Sequence, residues 1–203
     1  MPGFRSILQR ADAHFARVLA KQPDALACRR GCSLCCHGLF EISAADISVL
    51  ADGLAALPPA VREEIVQRAE AMAEALELPV IQELTPEEKE AFFVRADDVP
   101  CPALGEGGAC LVYEYRPLVC RTFGLPLRDG GNFIGEECEL NFLDSSFEDR
   151  EEAAWNLQWE DVLGPEDQFT IPEAILLIER MRKTSQPDPS QKPEARSQKK
   201  RRS

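Results

Sequence analysis

The stretch Cys28-Arg29-Arg30-Gly31-Cys32-Ser33-Leu34-Cys35-Cys36-His37 holds four of the chain's eight cysteines within nine residues. The other four, Cys101, Cys110, Cys120 and Cys138, follow a long cysteine-free interval. Metal binding needs thiolates that converge from short, constrained backbone. Cys32-x2-Cys35 is the knuckle spacing with which one turn presents two sulfurs to one ion, and Gly31 eases the approach. If the stretch is helical, Cys28, Cys32 and Cys35 lie at i, i+4 and i+7 and share a face. Adjacent Cys35 and Cys36 bind a single ion only with strain, so they suit two neighbouring metals or a cluster. His37 reads as a neighbour of the thiols, with thiolates in excess as ligands. Free cysteine is a common core residue. Four in nine residues exceeds ordinary usage, which favours ligation over inert packing.

The second group is spaced x8, x9 and x17, a weak pattern by itself. Its surroundings carry more. Gly105, Gly107, Gly108 and Pro117 bend the backbone beside the cysteines. Arg116 and Arg121 flank Cys120. A guanidinium near several thiolates stabilises their charge and lowers the thiol pKa; pairing with Glu114 or Glu136 is an equal alternative. Tyr113 reads as a core residue or a neighbour of the ligands. The segment from Pro100 to Asn141 lacks helical periodicity, and a loop of that length needs an outside constraint. Ligated cysteines would supply it.

The pattern Cys-x3-Cys-x2-Cys-Cys, then Cys101-Pro-Ala-Leu104, then Cys110-x2-Tyr113-x2-Arg116-Pro117-x2-Cys120-Arg121-x-Phe123, resembles a bacterial cysteine-cluster family. Its domain, written CxxCxxCC or YkgJ-like, is described as zinc- or iron-chelating. The resemblance runs from about Cys28 to Cys138. It implies that Cys28, Cys32, Cys35, Cys36, Cys101, Cys110, Cys120 and Cys138 are metal ligands. It carries no reaction. Some relatives are flagellin lysine N-methylases, which are longer chains.

Around this centre the pattern is helical. Phe4, Ile7, Leu8, Ala11, Phe15, Val18 and Leu19 recur at helical spacing, with His14 beside the stripe as a satisfied or partly exposed helix histidine. Ser43 caps a helix to Ala56, Pro58-Pro59 opens another, and Thr85-Pro86-Glu87-Glu88 starts a short one. Trp155 and Trp159 are four apart and would share a helix face. The spacing predicts helices over 3–20, 44–56, 59–78, 86–94, 148–162 and 171–183. The fold class is mainly α: a small helical domain over 1–183 around a cysteine-rich, loop-dominated metal site, with short β pieces.

From Thr184 on, six basic and two acidic side chains give a local charge of +4, leaving −16 on the rest of a chain whose net charge is −12. That composition predicts a disordered basic tail over 184–203. An acidic body argues against a nucleic-acid partner. No apolar run is long enough for a membrane span, and no secretory signal is evident. The expected compartment is therefore the cytoplasm, where thiols stay reduced and eight cysteines read as ligands.

Three functions fit. The first is a metal-binding protein holding zinc or iron, including an iron–sulfur cluster, with a protein partner as a further expectation. The second is an iron–sulfur enzyme such as a lysine N-methylase-like methyltransferase. The Cys28-x3-Cys32-x2-Cys35 spacing is also that of radical S-adenosylmethionine enzymes, but no alternating β/α pattern follows it. The third is an electron-transfer protein. Eight thiolates suit two four-cysteine zinc sites or a cluster equally.

Overall fold

A computed structural model describes residues 2–163 and 167–185. Helix α1, Pro2–Lys21, turns Phe4, Ile7, Leu8, Ala11 and Val18 onto one buried face, as a 3.6-residue period requires. The first cysteine group then runs as irregular chain. It contains a turn at Arg30-Gly31 and a single 3-10 turn over Leu34–Cys36. Gly31 has a φ of +92°, so the shared helical face for Cys28, Cys32 and Cys35 does not arise.

Strand β1, Glu41–Ser43, leads straight into α2, Ala44–Ala56. Ser43 accepts a hydrogen bond from the Asp46 N–H, and the Asp46 carboxylate accepts one from the Ser43 N–H. This reciprocal box satisfies two backbone donors that a helix start would leave open. Helix α3, Pro59–Leu76, opens on proline and closes at Glu77 in the left-handed region. Helix α4, Pro86–Arg95, repeats the capping box with Thr85 and Glu88. Near the end of the described chain, β5, Gln168–Thr170, feeds α7, Ile171–Ser185, with Thr170 and Glu173 exchanging the same pair of bonds. Strands β1 and β5 pair antiparallel, Ile42 opposite Phe169. That pairing sets the starts of α2 and α7 side by side, and α3 packs against α7.

Between these lie the short elements of the second cysteine region: α5, Leu118–Thr122; β2, Leu127–Asp129; β3, Asn132–Gly135; α6, Phe147–Ala153; and β4, Trp155–Asn156. The helices predicted over 3–20, 44–56, 59–78, 86–94 and 171–183 all occur, with ends within two residues. The one predicted over 148–162 does not. It breaks at Ala154, which is extended, and Trp155 pairs in parallel with Leu127 of β2. The Trp155 N–H donates to the Pro126 carbonyl (2.8 Å) and its indole is fully buried. Burial of the largest side chain decided the backbone there, and tertiary packing overrode helix periodicity. The two tryptophans still meet edge to face, ring centroids 4.9 Å apart, with His14 against both rings. His14 is buried, in contact with the Ala153 carbonyl through Nε2 and with Arg17 through Nδ1. Of the predicted basic tail, Thr184 and Ser185 close α7, and the remainder lies outside the described residues.

The core has three parts. One joins α1 to Leu118, Leu125 and Trp155. A second joins α2, α3 and α7 to Ala103 and Val112. A third holds Leu39, Met72, Ile81 and Phe92. Cys101, Cys110 and Cys120 pack on the second part, so the cysteine region lies against the α2–α3–α7 core. Among the described residues, no helix is long and apolar enough to cross a membrane.

Trp155 links β2, α1 and the α6 exit. Trp155→Ala should cost about 3–5 kcal/mol of stability, read as a shift in the urea midpoint. A loss below about 1 kcal/mol would show that the strand, not the indole, holds this junction.

Candidate metal centre

The two cysteine groups, more than sixty residues apart in sequence, are brought together by the backbone. The Cys101 N–H donates to the Cys36 carbonyl (2.7 Å), and the Gly38 N–H donates to the Val99 carbonyl (2.8 Å). His37 and Pro100 thereby form an antiparallel bridge, and Leu104 bridges Cys110 in the same manner. The result is a cavity of about 440 Å3 whose lining includes Cys28, Cys32, Cys35, Cys36, Cys101, Cys110 and Cys120. Cys138 is not in that lining; it lies beside Cys28, whose ionisation it opposes. All eight cysteines are free and half-buried. Among the described residues, no three cysteine, histidine or carboxylate side chains are already drawn together tightly enough to hold an ion.

Helix α5 places Cys120 and is itself tethered twice. The Leu118 N–H donates to Asp46 (2.8 Å), so the carboxylate that caps α2 also fixes the start of α5. Arg121 pairs with Asp12 of α1 (2.5 Å) and donates to the carbonyls of Glu114 and Arg116. Its carboxylate partner is therefore Asp12, and Glu114 contributes only its carbonyl. Arg116 behaves differently. Its guanidinium lies 3.7 Å from the centre of the Tyr113 ring, and its Nε is buried without a hydrogen-bond partner. Tyr113 is half-buried in the cavity wall. His37 is exposed and outside the lining.

The thiols fall into two neighbourhoods. Cys101, Cys110 and Cys120 act electrostatically on one another and on Cys35. Cys28 feels Cys138, Cys32 and Cys35. Cys35 thus belongs to both, and its thiol is hydrogen-bonded to that of Cys36. That hydrogen bond, followed by burial, pushes Cys35 far above the ordinary thiol range, while the Arg116 charge pulls slightly the other way. Burial pushes Cys101 up to about 11 and raises Cys28, Cys110 and Cys120. Several thiols crowded in a poorly solvated space cannot all ionise unless a cation enters. A soft, N/S-preferring metal is the chemistry such a donor set fits.

Residues outside the cysteine pattern complete the construction. Asn141 is buried; it accepts from the Ala27 N–H (2.9 Å) and donates to the Gly124 carbonyl (2.8 Å) and the Cys28 sulfur (3.2 Å). One amide thereby joins the approach to Cys28, the α5 exit and the Cys138 segment. Gly124 has a φ of +95°, and a Cβ there would stand 2.8 Å from the Asn141 amide and 3.1 Å from the Cys28 sulfur. Nothing local in the sequence marks Asn141, or the second bond that Asp46 makes beyond its own helix cap, because each acts on backbone distant in the chain.

Gly124→Ala should therefore destabilise by at least about 1–2 kcal/mol, the cost of a left-handed alanine, and should loosen Cys28. The measurement is urea unfolding together with the Cys28 alkylation rate; an unchanged rate would detach Gly124 from the site. The buried thiols also set a pH trend. With folded thiol pKa values raised, the unfolded chain loses its thiol protons first, from about pH 8.5. The metal-free protein should then lose stability as pH climbs from about 8.5 toward 11. A flat urea midpoint between pH 7.5 and 10 would contradict the burial.

Compared with known proteins, residues 27–139 match the family model CxxCxxCC, described as "Putative zinc- or iron-chelating domain". No curated protein and no solved structure matches the chain. The match spans more than half of the chain and covers both cysteine groups. The chain belongs to the CxxCxxCC family of zinc- or iron-chelating domains.

Proposed function

We propose that this protein holds zinc or iron through all eight cysteines, in a centre built jointly by both groups. The supporting observation is the cavity that collects seven thiols from the two groups behind one backbone pairing. Cys35, Cys101, Cys110 and Cys120 form an inner set. Cys28, Cys32 and Cys138 form an outer one, with Cys36 at the junction beside Cys35. In this reading, ligation draws side chains that already share a cavity onto the metal, and residues 1–183 act as one unit around it. Arg116 offsets part of the thiolate charge. Because Cys35 and Cys36 are adjacent and stand between the sets, the centre holds two or more metal atoms, as paired zinc ions or as an iron or iron–sulfur assembly. The cytoplasm, with reduced thiols, is the compartment this requires.

The test is elemental analysis with an absorption spectrum after anaerobic purification. The expected result is about two equivalents of zinc, or two or more of iron, approaching whole numbers as filled sites do. Less than about half an equivalent of any transition metal would overturn the proposal. Cys35→Ser should reduce the content of the whole centre, whereas Cys138→Ser should spare the inner set. Equal losses in the two variants would remove the division. Since neutral thiols must release protons to bind, apparent affinity should rise with pH, about tenfold per unit for each proton displaced. An affinity independent of pH between 6 and 8 would exclude thiolate ligation.

A further inference from the structure

The cavity holds more than sulfur. Its lining includes four arginines, Arg29, Arg30, Arg116 and Arg121, against one carboxylate, Asp12. Asp12 is already paired with Arg121. Among the described residues, Arg29, Arg30 and Arg116 form no ion pair; neither do Arg10, Arg17, Arg62, Arg95 and Arg180, which lie outside the lining, whereas Arg5, Arg68, Arg128, Arg150 and Arg182 pair with carboxylates. Three guanidiniums without a carboxylate partner thus line one cavity in a chain of net charge −12. Arg30 and Arg116 are both held on the Tyr113 ring, at 5.9 and 3.7 Å from its centre. The ring fixes two long side chains that would otherwise have to be ordered by whatever they bind.

Thiolate charge does not account for all three. Of the three, Arg116 alone acts on the thiols, at Cys35 and Cys110, and its Nε, buried without a hydrogen-bond partner, leaves it able to meet a further anion. Arg29 and Arg30 are exposed at the cavity, where a molecule arriving from solvent would meet them first. The cavity also has an apolar part, including Phe15, Leu19, Phe40 and Phe123. Phe40 and Phe123 pack ring to ring at 4.9 Å, and Leu19 and Phe123 are 39% and 36% exposed.

We propose that the cavity over the cysteines is a binding site for a small amphiphilic organic anion. Its oxyanion head meets Arg30 and Arg116, and its apolar body lies against Phe40 and Phe123. Guanidinium forks suit carboxylate, sulfonate and phosphate heads, and a charge-assisted pair gives both strength and orientation. The apolar wall excludes a bare inorganic anion as the best ligand. The inference goes beyond the metal reading and rests on it only in placing the bound molecule beside the metal.

The test uses the protein as purified, with metal content measured on each sample. Two fluorescent probes are titrated in 0.15 M salt: 8-anilinonaphthalene-1-sulfonate and its uncharged analogue N-phenyl-1-naphthylamine. The expected result is saturable binding of one anionic probe per chain, at least about tenfold tighter than the neutral one. Arg30→Gln, an exposed position that leaves folding intact, should abolish that preference. Arg116→Gln should do the same, and Phe123→Ser should weaken both probes. Equal affinity for the two probes in the wild type would overturn the inference. So would a preference that survives Arg30→Gln and Arg116→Gln, or a loss of metal in those variants with the preference unchanged, which would assign the arginines to the thiolates. A preference that follows the arginines in samples devoid of metal would uphold this site and sink the metal reading instead.

Discussion

The hydrogen bond from the Cys101 N–H to the Cys36 carbonyl is the constraint on which the rest of the centre depends. It closes a loop of more than sixty residues that contains α2, α3 and α4. Those helices exist for ordinary reasons: capped starts, apolar stripes and proline at first positions. Their packing brings the loop's two ends together, and the pairing of Cys36 with Cys101 then fixes one cysteine group over the other. A metal would add to this closure, because the thiols it needs come from both sides of the same loop.

Electrostatics and burial oppose each other at this place. Burial and crowding oppose the ionisation of Cys28, Cys35, Cys101, Cys110 and Cys120, yet ionised sulfur is what a metal requires. The protein lowers the conflict only in part. Arg116 acts on Cys35 and Cys110, whereas Arg121 is committed to a structural pair with Asp12. What is left favours cation entry. The positive charge of Arg29 and Arg30, by contrast, makes the cavity mouth attractive to anions in an otherwise acidic molecule.

The outer shell was legible in the sequence wherever local chemistry governs. Ser43, Thr85 and Pro59 mark helix starts because capping acts within one turn, and the stripe of α1 follows from periodicity alone. The meeting of the two cysteine groups was legible too, since neither half makes chemical sense without the other. Three features were not. Trp155 satisfies helical spacing with Trp159 equally well on a strand followed by a 3-10 turn, and only its burial decides between them. Asn141 and Asp46 bond to backbone more than seventy residues away, and no window of sequence contains both partners. The turn at Gly31 replaces the helical face that Cys28, Cys32 and Cys35 would otherwise share.

A single centre shared by both groups is tested most directly by differential alkylation. The protein is labelled as purified, stripped of metal with a chelator, labelled again with a heavier reagent, and mapped by peptide mass. Cysteines from both the 28–36 and the 101–138 segments should be shielded in the first step and exposed together in the second. Shielding confined to the 28–36 segment, with Cys101, Cys110 and Cys120 labelled at once, would contradict it.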